Sequence, residues 1–469
     1  MTKAKSKLIE VQDVSIVDIG DQGMGIGKDP EGKVYLIQNA VPGDTMDIEV
    51  KMRRSRVSYA RPIQRTADSP WRQVPFCTHF GVCGGCKWQH MAYEGQLEYK
   101  QKNVFDALTR IGGIKEPAIR KIQSVEHDRY YRNKLDFSFG NNRWLTEEEL
   151  SDETILNKNA LGFHRPGSFE KIVDIQHCYL QSDPSNEIRN FIREFANTNQ
   201  LTYYNVKLHI GLLRNLVIRT ALDGSTMVTL VFGQDQPESI IEINKAILSQ
   251  FPDITLYNII NLKFNDTTFD LEPILIHGRG YLIESLGHLK CRVGPKSFFQ
   301  TNSKQAWKLY QFIEEFADLK GSELVYDLYS GTGTIGLFLA HHAAKIVGVE
   351  EIKEAVDDAI LNAGENRITN AFFYAGDVKK MLQDGLFERE GRPDLVILDP
   401  PRSGLHQDNI PILLESGAPR IIYVSCNPAT QARDLKLLST GYEHVISQPV
   451  DMFPHTGHIE NVTLLHRIK

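Results

Sequence analysis

The chain has 469 residues, 41% of them apolar and 24% charged, with a net charge of −6. Such a chain can bury sizeable cores, and its length suits about three domains at roughly 150 residues each. No apolar run approaches the roughly 18 residues a membrane span needs, and no apolar stretch follows the first lysines, so a cytoplasmic protein acting as a monomer is expected. Six cysteines, three of them between positions 77 and 86, do not form the framework of a disulfide-rich secreted domain.

Residues 7–65 alternate strand-like runs (LIEVQDVSIVDI, KVYLIQNA, DTMDIEVKMRR, VSYARPIQR) with Gly- and Pro-Gly-containing turns at 20–27 and 41–44. That grammar predicts a small β-barrel. The glycines are followed by a strand and not a helix, so they read as hairpin and bulge positions instead of a phosphate loop. The net charge by itself disfavours a nucleic-acid partner, but the stripe from Lys51 to Arg65 holds six basic residues and no acidic one. It is either a solvated face or a surface that neutralises phosphates along an RNA strand. The segment resembles the TRAM domain, a small OB-like RNA-binding barrel.

Cys77, Cys83 and Cys86 follow, in CTHFGVCGGCKWQH. Three thiolates within ten residues, with glycines to let the loop curl, mark a metal or cluster site. Zinc could be completed by His79 or His90, and an iron–sulfur cluster by the remote Cys178; the local sequence leaves both open. Residues 91–112 place Leu97, Val104, Leu108 and Ile111 on one face, predicting a helix closed by glycine. Residues 118–290 carry strand-like runs and one clear helix near 184–198. The polar stretch 141–159 reads as an insertion or long hairpin.

From about 291 strands and helices alternate, which predicts a doubly wound, mostly parallel sheet. Gly331-Thr-Gly-Thr-Ile-Gly336 follows a strand, with Glu350 about twenty residues on, a pattern that also fits a dinucleotide. Asp327, Asp377 and Asp399 stand at further strand ends. A ladder of carboxylates suits a cationic ligand without a diphosphate, such as S-adenosylmethionine, with Glu350 toward the ribose and Asp377 toward the adenine.

Cys426 ends the run IIYVSC beside a second strand ending in Asp399-Pro-Pro-Arg-Ser-Gly. Free cysteines are usually small buried hydrophobes. At the carboxyl edge of an open sheet, however, a thiolate can add to C6 of a pyrimidine and make C5 nucleophilic. Such chemistry then needs a base for the C5 proton, and Glu460, in VDMFPHTGHIE, stands at the start of the last strand.

With DPPRSG (399–404), IIYVSCNPAT (421–430) and VDMFPHTGHIE (450–460), the chain resembles the RNA uracil-5 methyltransferase family over essentially its whole length. The resemblance implies Cys426 as nucleophile and Glu460 as base. It implies donor or uracil contacts from Gln300, Tyr329, Thr334, Glu350, Asp377 and Asp399. It implies a [4Fe–4S] cluster on Cys77, Cys83, Cys86 and Cys178, as in the branch acting on 23S ribosomal RNA. Some cluster-bearing relatives act on transfer RNA. Thr334 and Ser330 depart from the asparagine and cysteine common in the family, and the stretch 141–159 receives no role from it.

The expected architecture is a Rossmann-like S-adenosylmethionine-dependent methyltransferase domain (91–117 and 291–469), a TRAM barrel (1–66) and a central α+β domain carrying the cluster loop (67–90 and 118–290). A non-catalytic RNA-binding protein on the same scaffold is the competing class, disfavoured by the intact Cys426, Glu460 and carboxylates. Radical chemistry is disfavoured by the five-residue gap between Cys77 and Cys83.

Overall fold

A computed structural model describes residues 9–20, 23–54, 57–151 and 157–468. The chain forms two compact units, one of Met1–Asn103 with Phe453–His458, the other of Val104–Met452 with Ile459–Lys469. Among the described residues no helix is long and apolar enough to cross a membrane.

The first unit holds a closed barrel of β1 (Ile9–Ile19), β2 (Gly25–Lys28), β3 (Val34–Ile37), β4 (Thr45–Arg54) and β5 (Val57–Ala67), in the order β1-β2-β3-β5-β4. Alternate residues of these strands, among them Val14, Ile16, Tyr35, Ile37, Met46 and Ile48, fill its interior. The glycine run departs from the expectation of turns alone, because its end is the strand β2. A Cβ on Gly27 would lie 2.5 Å from Ile37 and 2.6 Å from Val14, so the barrel interior has no room for a side chain there. Beside the barrel, Trp88, Met91 and Val41 make a small core, and Trp88 Nε1 donates to the Gly23 carbonyl at 3.1 Å. His455, in the same unit, is buried; its N–H donates to Gln96 Oε1 and its carbonyl accepts from Lys87 and Trp88.

The second unit contains two larger sheets. One has seven strands: β6 (Lys134–Gly140), β7 (Ala160–Arg165), β8 (Ser168–Asp174), β9 (Leu213–Thr220), β10 (Thr226–Phe232), β11 (Thr255–Ile260) and β12 (Ile274–His277). Their order is β12-β11-β10-β9-β6-β7-β8, antiparallel except for the β10/β11 pair. That parallel pair needs a crossover helix, Pro237–Gln250, which the sequence reading does not single out. Its Pro at the first turn and buried Ile240, Ile243 and Ile247 are the signals that mark it. The expected helix near 184–198 spans Ser185–Thr198 and buries Ile188, Ile192 and Ala196. Of the stretch 141–159, Glu147–Leu150 is a short helix and residues 152–156 lie outside the described residues.

After the hairpin of β13 (Leu282–Leu286) and β14 (Leu289–Val293) comes the doubly wound sheet. It comprises β15 (Leu324–Leu328), β16 (Lys345–Glu350), β17 (Ala371–Ala375), β18 (Leu395–Leu398), β19 (Arg420–Ser425), β20 (Tyr442–Val450) and β21 (Glu460–Arg467). The order is β17-β16-β15-β18-β19-β21-β20, with β21 antiparallel to both its neighbours. β20 goes unseen in the sequence reading; its run YEHVISQPV mixes polar residues with a proline and bulges between His444 and Ile446. The helix Tyr93–Asp106 continues as a π-turn, Ala107–Ile111, which packs on the helix Pro428–Leu438.

Candidate active site

The parallel strands β15 to β19 run the same way, so their C-terminal ends share one edge, and the sheet order reverses between β15 and β18. Open α/β sheets bind ligands at such a switch point. The glycine loop after β15 is tightly drawn. Gly333 has φ +73°, and a Cβ there would meet Phe373 at 2.7 Å and Ala359 at 2.8 Å. Tyr329, φ +64°, turns the chain off the strand, and its hydroxyl accepts a 2.7 Å bond from Asn409.

Two carboxylates pin this loop. Asp327, wholly buried, accepts from the Gly336 N–H at 2.9 Å, while its other oxygen has no partner among the described residues. Burial, with Asp399 and Glu350 adding their negative charge, pushes its carboxyl up to about 7 against the pull of the Gly336 N–H. Asp327 therefore belongs to the scaffold. Glu350, at the end of β16, accepts from Gly331 N–H at 3.0 Å and from Ile352 N–H at 2.9 Å. Because a carboxylate can accept about four hydrogen bonds, Glu350 keeps capacity for a ligand hydroxyl. Asp377, exposed after β17, caps the helix Val378–Gln383 through the Lys380 N–H, 2.9 Å.

Thr334 opens the helix Thr334–Leu339, and its hydroxyl lies 2.7 Å from that of buried Tyr310. That bond gives Thr334 a packing role whatever else it touches. Gln300 lies just before the helix Ser303–Ala317, its carbonyl held by Asn133 Nδ2 at 2.9 Å.

Cys426 stands one residue beyond β19, and the local sequence accounts for that. Asn427 caps the next helix by accepting from Ala429 N–H, and Pro428 occupies the first helical turn. Both are strong helix-start residues, so the strand must end at Cys426. In the β19/β21 pair Ser425 faces Asn461, and Cys426 and Glu460 flank that last pair. Gln431 braces the pair from within the core, donating to the carbonyls of Tyr423 (2.8 Å) and Asn461 (3.1 Å).

The Asp399–Gly404 loop completes the edge. The Arg402 carbonyl accepts from Asn427 Nδ2 (3.1 Å) and Thr430 Oγ1 (3.2 Å). Asp434 Oδ2 accepts from Leu405 N–H (2.8 Å) and the Tyr423 hydroxyl (2.7 Å). Gly404, at φ +76°, lies so close that a Cβ would meet that oxygen at 2.5 Å. Asp399, Arg402, Cys426 and Glu460 share one electrostatic environment. Burial, then Glu460, push the Cys426 thiol up to about 11, and Arg402 opposes them. Glu460, 5% exposed, is held well above the usual carboxylate range by burial and by Asp399, again opposed by Arg402. Burial raises Asp399 to about 7. Arg402 is the residue that motif reading leaves without a role. Its signal is being the one cation inside Asp-Pro-Pro-Arg-Ser-Gly.

Of the cluster set, Cys77, Cys83 and Cys86 are partly exposed and Cys178 is buried. In the first unit the loop turns through Phe80 N–H to the Cys77 carbonyl and Cys83 N–H to that of His79, and Gly85 N–H donates to Cys83 Sγ at 3.4 Å. In the second unit Cys178 is buried, its backbone clasped by Asn186 (2.8 and 3.2 Å), with the guanidinium of Arg189 supplying positive charge. Thiols beside an N–H donor and a cation suit thiolate ligands. His90, the zinc alternative, is buried with both ring nitrogens unpartnered among the described residues, and burial lowers it to about 4. Of the basic stripe, Ser55 and Arg56 lie outside the described residues, as do the side chains of Arg53 and Arg54. Lys51 and Arg61 both pair with Glu49, at 2.5 and 2.6 Å.

Residues 287–468 match the family model described as tRNA (uracil-5-)-methyltransferase, and residues 5–63 match that of the TRAM domain. The chain is 47% identical to an uncharacterized RNA methyltransferase of Bacteroides thetaiotaomicron, covering 92% of this chain and 96% of that one. It is 45% identical to one of Porphyromonas gingivalis, over 97% and 99%. It is similar to the crystal structure of Pyrococcus abyssi tRNA (uracil-54, C5)-methyltransferase in complex with S-adenosyl-L-homocysteine. That likeness has 29% identity and a TM-score of 0.73, and covers 96% of this chain and 99% of the other.

Proposed function

Because the chain belongs to the RNA uracil-5 methyltransferase family and carries its TRAM domain, we propose that it methylates C5 of uridine in RNA through a covalent adduct on Cys426, with Glu460 as base. S-adenosylmethionine is the methyl donor, in keeping with the S-adenosyl-L-homocysteine complex of the archaeal relative. The observation that supports the residue assignment is the β19/β21 register, whose last pair, Ser425 and Asn461, is flanked by Cys426 and Glu460.

In this reading Cys426 Sγ bonds to C6, and the C5=C6 electrons move toward O4 as an enolate. C5 then takes the methyl group, and the sulfonium leaves as the neutral thioether. Glu460 removes the C5 proton, the C5=C6 bond re-forms, and the C6–S bond breaks to return the thiolate. Arg402 favours the ionised forms of both Cys426 and Glu460. Glu350 and Asp377 would hold the ribose and adenine of the donor, and Asp399 its cationic end, with Gln300, Tyr329 and Thr334 lining donor or uracil.

The substrate we assign is 23S ribosomal RNA, supported by a barrel and a cysteine set occurring together. A [4Fe–4S] cluster on Cys77, Cys83, Cys86 and Cys178 would organise structure, and no step of the reaction runs through it. Transfer RNA is the second reading, favoured by the archaeal relative, whose likeness spans nearly the whole chain. Mapping 5-methyluridine in both RNAs from a strain lacking the gene decides: loss at one 23S position supports the first reading, loss in transfer RNA the second. Loss in neither overturns both.

A further inference from the structure

A cleft of about 740 Å³ lies in the seven-stranded sheet of the second unit, lined by β6, β7, β8 and the loops around 205 and 265. None of the residues assigned to methyl transfer lines it. It falls in the size range of small-ligand sites. The polar stretch at 141–159, which the family resemblance leaves without a role, supplies Asn141 and Asn142 to its wall.

Its chemistry is specific. Phe264 and Phe169 line it with 77% and 64% of their surface exposed, an unfavourable place for apolar rings in a folded domain without a ligand. The loop that carries Phe264 is nevertheless anchored. It is gripped by Arg214, which donates to the carbonyls of Asn261 (3.0 Å), Lys263 (2.7 Å) and Asn265 (2.5 Å). Behind the Phe264 ring lies His209, ring centroids 4.5 Å apart. Asn205 and Asn265 add to the two wall asparagines, and Asn205 Nδ2 donates to Asn141 Oδ1 at 3.2 Å, which leaves the amide N–H groups of Asn141, Asn142 and Asn265 toward a ligand. Arg165 is stacked on Trp144 at 3.8 Å, and its Nε is buried with no partner among the described residues.

Exposed aromatic faces, amide edges and a guanidinium are the groups that recognise an unpaired nucleobase in single-stranded RNA. We infer that this cleft binds one unpaired nucleotide of the RNA substrate, away from the uridine being methylated, with its base stacked on Phe264. The inference rests on the RNA substrate of the family and not on Cys426 being the nucleophile. A purely apolar partner is disfavoured by the amides, and a phosphate-only ligand by the aromatic rings.

The test uses the full-length protein, with Phe264→Ala and Phe169→Ala made separately; both side chains are exposed, so the fold should persist. Steady-state kinetics on the RNA that the enzyme methylates should show KM raised roughly five- to a hundredfold by Phe264→Ala, the loss expected for one base–aromatic stack. Both kcat and S-adenosylmethionine affinity should hold. Arg165→Gln, which keeps the polar length without the charge, should raise KM less. RNA pentamers of each base, compared with the free mononucleotides, separate a base in a strand from a free nucleotide. Pentamer binding weakened by Phe264→Ala supports the inference. Mononucleotide binding with an unmoved KM for RNA overturns it, as does an unchanged KM alone. Repeating the pentamer binding on Cys426→Ala protein keeps the result independent of the catalytic assignment.

Discussion

Cys426 and Glu460 come from opposite ends of a 34-residue interval but flank the last pair of one antiparallel ladder, Cys426 following Ser425 and Glu460 preceding its partner Asn461. Burial makes each side chain harder to ionise, and the charge of Glu460 adds to that at Cys426. Burial raises both groups and Arg402 opposes it, so that cation favours the thiolate and carboxylate that the reaction uses.

The two residues should fail differently. Cys426→Ala should give neither product nor adduct. Glu460→Gln should still attack and accept the methyl group, then accumulate a covalent protein–RNA complex that survives denaturation. Each loss should be large, about 10²–10⁴ in rate for a positioned base. Gel shift under denaturing conditions with labelled RNA, and mass spectrometry of the methylated adduct, read both. Near-normal methylation by Cys426→Ala would mean the thiol is packing.

Arg402 favours ionisation of both groups. Arg402→Ala should therefore shift alkylation of Cys426 by iodoacetamide to higher pH, and Glu460→Gln should shift it lower, since a negative neighbour is removed. Peptide mass spectrometry of the Cys426 peptide over a pH range that brackets the raised thiol, about 11, measures both. Shifts in the opposite directions would contradict the electrostatic account.

Asp399 and Asp327 are both raised to about 7 in the folded protein. The native state thus binds protons that the unfolded chain releases, and the stability they contribute is complete below about 4 and lost as pH rises through about 7. Melting temperature without donor should be lower at pH 8 than at pH 6. Donor affinity should move the other way, because a cationic ligand favours the ionised Asp399. Calorimetry of S-adenosylmethionine binding should show affinity rising with pH through about 7, with Asp399→Asn flattening the dependence. A flat dependence in the unsubstituted protein would remove Asp399 from the donor site.

Gly404 is the hinge of the Asp399–Gly404 loop. Gly404→Ala combines a left-handed backbone with a Cβ 2.5 Å from Asp434 Oδ2. Strain of that kind costs roughly 1–3 kcal/mol. Thermal melting should drop by several degrees, and kcat should fall more than KM rises, since the loop carries Arg402. An unaffected kcat would separate the loop from catalysis.

Anaerobically purified protein should be brown and hold about four irons per chain, as a four-cysteine, four-iron cluster requires. Cys178→Ser should bleach it as fully as Cys83→Ser. Colourless protein carrying one zinc, lost on His90→Ala, would instead assign the loop to zinc.

Much of this could be read from the chain alone, because its signals are local. Alternating strands with glycine turns specified the barrel, and βα alternation specified the doubly wound sheet. Strand-end residues such as Asp327, Glu350, Asp399 and Cys426 were legible because a parallel sheet delivers every strand end to one edge. The crossover helix Pro237–Gln250 and the strand β20 were not, the first lying among strand-like runs and the second having no clean alternation. Tertiary structure alone decided that Cys426 and Glu460 flank one strand pair, since register depends on how β21 enters between β19 and β20. It alone decided that Asp327 is scaffold and that Arg402 opposes the burial of two ionisable groups, because burial and charge proximity are not properties of spacing. The cleft around Phe264 is the clearest case. Its walls come from segments more than a hundred residues apart, and only packing brings asparagines, rings and a guanidinium to one place.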